Sequence, residues 1–208
     1  MSPPSPKRRK FRIYLAGPDV FLPNAIQLGQ RKKQLCAQYG FEGLYPFDNE
    51  IVHPPPGTRV DTLIYRANVK MIRRADCGIF NLTPFRGPSA DVGTVFELGM
   101  MIGLGKPAFA YTNDTRELLD RVRNAWSIEL DQGFWRDTNR MSIENFGNSD
   151  NLMIDAALRD QGHPIIRRHA VPDRYFDDLV AFEECLQLAS RELSFSREPE
   201  AHRSVTAL

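Results

Sequence analysis

The sequence predicts an α/β domain with a mostly parallel sheet covered by helices on both faces. Short β-branched and aromatic runs end in turn-formers, the stretches between them follow a helical apolar period, and the two kinds alternate along the chain. Residues 11–16 (FRIYLA) form a first strand closed by Gly17 and Pro18. Residues 24–39 are helical, with Ile26, Leu28, Leu35 and Cys36 among Gln, Arg and Lys, and Gly40 is a C-cap. A second strand at 43–47 runs into a loop of Asp48, Asn49 and Glu50. The stretch Pro54, Pro55, Pro56, Gly57 excludes helix or central strand. A helix over 60–75 puts Val60, Ile64, Ala67 and Met71 on one stripe. A buried strand at 77–80, a helix at 92–104 and a strand at 107–111 continue the alternation. Residues 112–150 are polar and irregular, with Trp126 and Trp135 read as packing residues. Helical patterning returns at 151–158 and at 173–193, the latter offering Phe176, Leu179, Val180, Phe182 and Leu186 for packing. The division is a disordered basic tail at 1–10, one domain at 11–195 and a flexible tail at 196–208.

Composition narrows the function classes. An apolar share of 42%, a charged share of 25% and a net charge of +1 describe an ordinary globular chain with no electrostatic call for nucleic acid or an anionic membrane. The basic cluster Lys7, Arg8, Arg9, Lys10 leads straight into a strand, so it reads as a solvated tail rather than a signal peptide. No apolar run approaches the roughly 20 residues of a membrane span. Cys36, Cys77 and Cys185 are scattered and odd in number, which favours a reducing cytoplasm over a disulfide or metal framework. His53, His163, His169 and His202 have no partner pattern and are given no role.

The segment at 89–99, SADVGTVFELG, carries the chemistry. Glu97 sits among Val95, Phe96, Leu98, Met100, Met101 and Ile102, where burying an ionised carboxylate is costly unless it is held for a purpose. Asp91 lies six residues earlier and cannot share its helical face. The two converge only if Asp91 stands in the loop or first turn. Ser89 is the candidate cap, and Gly93 would let a ligand approach the backbone. The spacing alone leaves open that Asp91 merely caps and Glu97 faces solvent.

Position within the fold favours a site. Ligands of open parallel sheets bind beyond the carboxyl ends of the strands. There the turn Gly17-Pro18-Asp19, the loop 48–50 and the loop 88–91 all open. Several acidic groups and Tyr14 would then surround one cleft with few cations to balance them. Such a cleft suits a neutral, hydroxyl-bearing ligand better than a phosphate. Two carboxyl groups across a sugar are the equipment for displacement at an anomeric carbon, one as nucleophile and one as proton shuttle.

The strings IYLAGP at 13–18, LYPFDNE at 44–50, ADVGTVFELG at 90–99 and DNLM at 150–153 occur in order across about residues 11–158. Together they resemble the nucleoside 2-deoxyribosyltransferases. The resemblance implies a flavodoxin-like domain acting on 2′-deoxynucleosides and free nucleobases without metal or organic cofactor. It makes Glu97 the nucleophile, Asp91 the handler of the base proton and Tyr14 the residue that orients Glu97. It puts Gly17, Asp19, Phe21, Asp48, Glu50, Asn68, Ser89 and Gly93 around the substrate. Asn151 and Met153 would complete a neighbouring subunit's site in a homodimer or larger homo-oligomer, a hexamer included. The departures are Asn68, where some members have Asp, Glu50, where some have Gln, and a tail without a terminal aromatic. Residues 112–150 would form a longer lid than in the shortest members. Two other readings stand beside transfer: a 2′-deoxynucleoside 5′-phosphate N-hydrolase and a non-catalytic nucleotide-binding module.

Overall fold

The computed structural model describes residues 9–49 and 57–195. Five strands form one parallel sheet in the order β2-β1-β3-β4-β7, comprising β1 (Arg12–Ala16), β2 (Glu42–Leu44), β3 (Cys77–Asn81), β4 (Ala108–Thr112) and β7 (Ile166–Arg167). The helices are α1 (Ala25–Gln38), α2 (Val60–Arg74), α3 (Val92–Gly103), α4 (Leu118–Ala125), α5 (Leu152–Asp160) and α6 (Val180–Phe195). This is the α/β arrangement expected, and β7 adds a strand at the edge that the short run at 166–167 did not advertise.

The sheet's period of two decides what faces what. Ile13 and Leu15 pack with Ile79, Phe109 and Tyr111 against α6, through Phe182, Cys185 and Leu186. Tyr14 and Ala16 point to the opposite face with Phe80 and Ala110, where they meet Ile72 of α2, Leu98 and Met101 of α3, and Leu158 of α5. Strand β1 thus sends Tyr14 toward the helix that carries Glu97. The chain leaves β1 toward β2 on one side and returns through α2 to β3 on the other. The C-terminal ends of β1 and β3 therefore flank a topological switch point, where a crevice opens. All three cysteines are buried and unpaired.

Several expectations need correction. The second strand ends at Leu44, and Pro46–Asp48 is a 3-10 turn, because proline at the first position fixes a helical φ and gives no ladder donor. The last helix starts at Val180 rather than 173; Pro172–Arg174 is a separate 3-10 turn. Residues 112–150 are not a plain loop. They hold α4 and an antiparallel hairpin of β5 (Ile128–Asp131) and β6 (Phe134–Asp137), turned by Gln132 and Gly133 at positive φ. Trp126 is 57% exposed, so it is not a core residue as expected, while Trp135 lies beneath the Arg123 guanidinium 4.6 Å from the ring centre. Of the N-terminal basic cluster, Lys7 and Arg8 lie outside the described residues, and Arg9 forks onto Asp76 at 2.7 and 3.0 Å. His53, His202 and residues 196–208 also lie outside the described residues.

Candidate active site

The crevice at the switch point is a cavity of about 660 Å³, within the range of small-molecule sites. Its walls come from the turn after β1 (Gly17, Val20, Phe21), the turn after β2 (Pro46, Phe47, Asn49), the first half of α2 (Val60, Ile64, Asn68) and the start of α3 (Asp91, Gly93, Thr94, Glu97). Gly17 is needed where the ends of β1 and β3 approach. A Cβ there would stand 2.5 Å from Cβ of Asn81 and 2.3 Å from Oδ1 of Asp19.

Glu97 lines the cavity with both of its donors on one oxygen. The Tyr14 hydroxyl donates to its Oε1 at 2.7 Å, and Asn68 Nδ2 donates to the same oxygen at 3.1 Å. Among the described residues no group donates to Oε2. Burial pushes the Glu97 carboxyl above its ordinary range, the donations from Tyr14 and Asn68 oppose this, and the charge of Asp91 adds to the rise. Tyr14 is fully buried, and burial beside Glu97 holds its phenol far above its ordinary value, so it acts as a donor only.

Asp91 is the N-cap of α3. Its Oδ2 accepts from Thr94 N at 2.8 Å and from Thr94 Oγ1 at 2.9 Å, Oδ1 has no donor among the described residues, and the residue lines the cavity. Capping and lining are therefore compatible, and the choice left open by spacing does not have to be made. Ser89 is not the cap and stands off the cavity wall; it bonds Asp150 instead.

The acidic cleft read from the strand ends is smaller than expected. Asp19 turns inward and is fully buried, paired with the equally buried Lys32 at 2.6 Å, with Tyr45 Oη at 3.2 Å and Asn81 Nδ2 at 3.3 Å. Asp48 caps its own turn through Tyr45 N at 2.9 Å and pairs with Lys33 at 2.6 Å. The structure brings neither carboxylate to the cavity. Both meet lysines of α1, so cations do balance these acids. Glu50 lies outside the described residues. Asn49 takes the place on the wall that Asp48 was expected to fill, together with Phe47, Val60, Ile64 and Thr94. For Val60 and Ile64 the apolar stripe was legible, but both are nearly half exposed among the described residues.

Asn151 caps α5 through Met153 N at 3.0 Å, and Met153 is 70% exposed. The segment is tied to the Asp91 loop. Buried Asp150 accepts from Ala90 N and from Asn151 N, each at 2.8 Å, and buried Arg121 donates to the carbonyls of Pro88 and Ser149. Asn151 and Met153 are not on the cavity wall of their own chain.

Comparison with known proteins gives the family. The family described as nucleoside 2-deoxyribosyltransferase matches residues 13–153. An uncharacterized protein of Schizosaccharomyces pombe is 35% identical over 164 residues, 72% of this chain and 78% of that protein. A solved 2-desoxiribosyltransferase from Leishmania mexicana is similar with a TM-score of 0.60 and 29% identity, covering 87% of this chain and 97% of its own. A conserved protein from Enterococcus faecalis V583 shares the fold at a TM-score of 0.50 and 18% identity, over 86% of this chain and 99% of that one. By the extent of these matches, the chain belongs to the nucleoside 2-deoxyribosyltransferase family.

Proposed function

We propose that the protein exchanges the nucleobase of 2′-deoxynucleosides, with Glu97 as the nucleophile and slow hydrolysis as a side reaction. One observation carries this reading. Both donors to Glu97 converge on Oε1, which leaves Oε2 without a donor among the described residues, on a side chain that lines the cavity. In the first half-reaction Oε2 attacks C1′, the C1′–N bond breaks, and the base leaves with a proton delivered from Asp91 Oδ1. The product is a deoxyribosyl ester of Glu97. In the second half a different base attacks C1′ from the vacated side, returns its proton to Asp91 and releases Glu97, so two inversions give retention. Water in place of the base gives free deoxyribose.

Phe21 and Phe47, both exposed by more than half, flank the entrance and suit the faces of a planar base. Gly93 lets the sugar lie against the start of α3. Exposed Met153 and the adjacent Asn151 would complete the cavity of a second copy, closing it over the substrate.

A donor–acceptor matrix separated by chromatography tests the reading, with intact-mass detection of a deoxyribosyl adduct in the absence of acceptor. Exchange in wild type and its loss in Glu97→Ala are expected. Turnover of a 5′-monophosphate to free base, without exchange of any deoxynucleoside, would replace transfer by nucleotide hydrolysis. Mixed assemblies of Glu97→Ala and Asn151→Ala chains regain part of the activity if Asn151 serves a neighbour.

A further inference from the structure

The two donors to Glu97 differ in how they are held. Tyr14 is locked by the core, whereas Asn68 is half-buried on a helix face and its amide could rotate. Asn49 stops it. Asn49 Nδ2 donates to the carbonyl of Pro46 at 3.1 Å and to Asn68 Oδ1 at 3.3 Å. A backbone carbonyl only accepts, so the Pro46 contact fixes which end of the Asn49 amide carries the hydrogens. That in turn presents a donor to Asn68, whose oxygen must face it. Asn68 Nδ2 is thereby directed at Glu97 Oε1, 3.1 Å away. Every link has a donor facing an acceptor, and the direction runs one way from the Pro46 carbonyl to the nucleophile.

We propose that Asn49 and Asn68 form a directional amide relay that positions Glu97, Asn68 serving as a donor to the nucleophile rather than as a ligand of the substrate. The proposal rests on Glu97 being the nucleophile of the proposed reaction. Asn68 stands where some family members place Asp. An Asp at 68 would accept from Asn49 but face Glu97 with a second carboxylate, so the amide is the side chain that suits both ends. The titratable or charged groups facing Glu97 are Tyr14 from β1 and Asp91 at the start of α3. From α2 the facing group is the neutral Asn68, and no lysine or arginine among the described residues lines the cavity. The relay therefore supplies donation without a cation, and an ion pair does not quench the free Oε2.

The variants are Asn68→Ala, Asn68→Asp and Asn49→Ala, with Tyr14→Phe as the positive control that removes the other donor. Two measurements are made on each. Carbon-13 titration of Glu97, assigned by its absence in Glu97→Gln, reads the carboxyl without substrate. The pH profiles of kcat and KM for base exchange read the reaction. Loss of a donor disfavours the charged form, so the Glu97 midpoint rises in Asn68→Ala and rises further in Asn68→Asp, by about one pH unit or more. The acid limb of the rate profile moves up with it. Asn49→Ala lowers kcat by about tenfold to a hundredfold with little change in KM, since a misaligned nucleophile costs rate rather than binding. Unmoved Glu97 midpoints in Asn68→Ala and Asn49→Ala would overturn the relay. So would a rise in KM with kcat intact, which would return Asn68 to the substrate. If the midpoints shift as stated but wild type forms no deoxyribosyl adduct, the relay stands and the proposed reaction falls.

Discussion

Two carboxylates near the same end of the sheet, Asp19 buried and Glu97 half-buried, are treated in opposite ways. Asp19, just past β1, is sealed from solvent and paired with a lysine. Glu97, on α3, meets only the neutral donors Tyr14 and Asn68 and faces a cavity. A buried acid neutralised by a buried cation is committed to the fold, because its charge has nowhere else to act. One held by uncharged donors keeps its charge and a free oxygen. The contrast teaches that acidity at strand ends does not mark the site; the nature of the partner does.

The contrast breaks most visibly by removing each charge without changing shape. Glu97→Gln should lower base exchange by at least about 10³-fold, the scale on which loss of a nucleophile acts, while leaving the fold intact by circular dichroism. Asp19→Asn should do the reverse, unfolding more readily while retaining exchange per folded molecule to within about tenfold. A full loss of exchange in well-folded Asp19→Asn would return that carboxylate to the substrate, as the sequence reading had it.

Next in size is the lysine. Lys32→Met leaves Asp19 charged and unpaired in the interior, which should cost about 3–5 kcal/mol in denaturant unfolding. The double variant Lys32→Met/Asp19→Leu should recover much of that loss. A Lys32→Met cost below about 1 kcal/mol would show that water reaches the pair and that it is not the sealed counterpart of Glu97.

Asp91 belongs to both regimes, since one oxygen serves the helix while the residue also lines the cavity. Asp91→Asn keeps the cap but loses the proposed proton carrier, whereas Asp91→Ala loses both. The cap should cost Asp91→Ala about 1 kcal/mol in stability and Asp91→Asn little. Both should slow release of a poor leaving base, by about 10²-fold or more if general acid–base catalysis is lost. Wild-type rates in Asp91→Asn would reduce the residue to its cap.

Much of this was legible from residues, and the exceptions have causes. The alternation of strands and helices gave the layers, and the misplaced carboxylate at 97 pointed to a side chain that lines the cavity. The turn residues Gly17 and Asn49 fell at strand ends, where crevices form. The direction of Asp19 was not legible from its own neighbourhood, since it depends on the phase of α1. A signal did exist there. Leu28, Lys32 and Cys36 recur at four-residue spacing, all three are buried, and a lysine inside an apolar stripe calls for an acid. Hydrogen-bond direction through Asn49 and Asn68 depends on atoms 19 residues apart and has no period to read. The hairpin at 128–137 was hidden because its strands are short and carry charge, with Gln132 rather than a glycine at the first turn position.

The smallest effect concerns what the exposed chemistry costs the fold. The Glu97 carboxyl is held above its ordinary range, with burial as the main cause. For a carboxyl raised on folding, the native state holds its proton more tightly than the unfolded chain. Stability then falls as pH rises from the unfolded value through the native one, and the deficit is complete above both. Glu97→Gln should therefore raise the melting temperature at pH 7, by about 2–4 °C for each kcal/mol recovered in a chain of this size. The gain should shrink as pH falls toward 4 and below, where wild-type Glu97 becomes protonated in both states. A gain that persists unchanged at pH 4 would assign it to packing of the amide rather than to the charge. A loss at pH 7 would mean that the hydrogen bonds from Tyr14 and Asn68 outweigh burial, so that the carboxylate stabilises the fold that holds it.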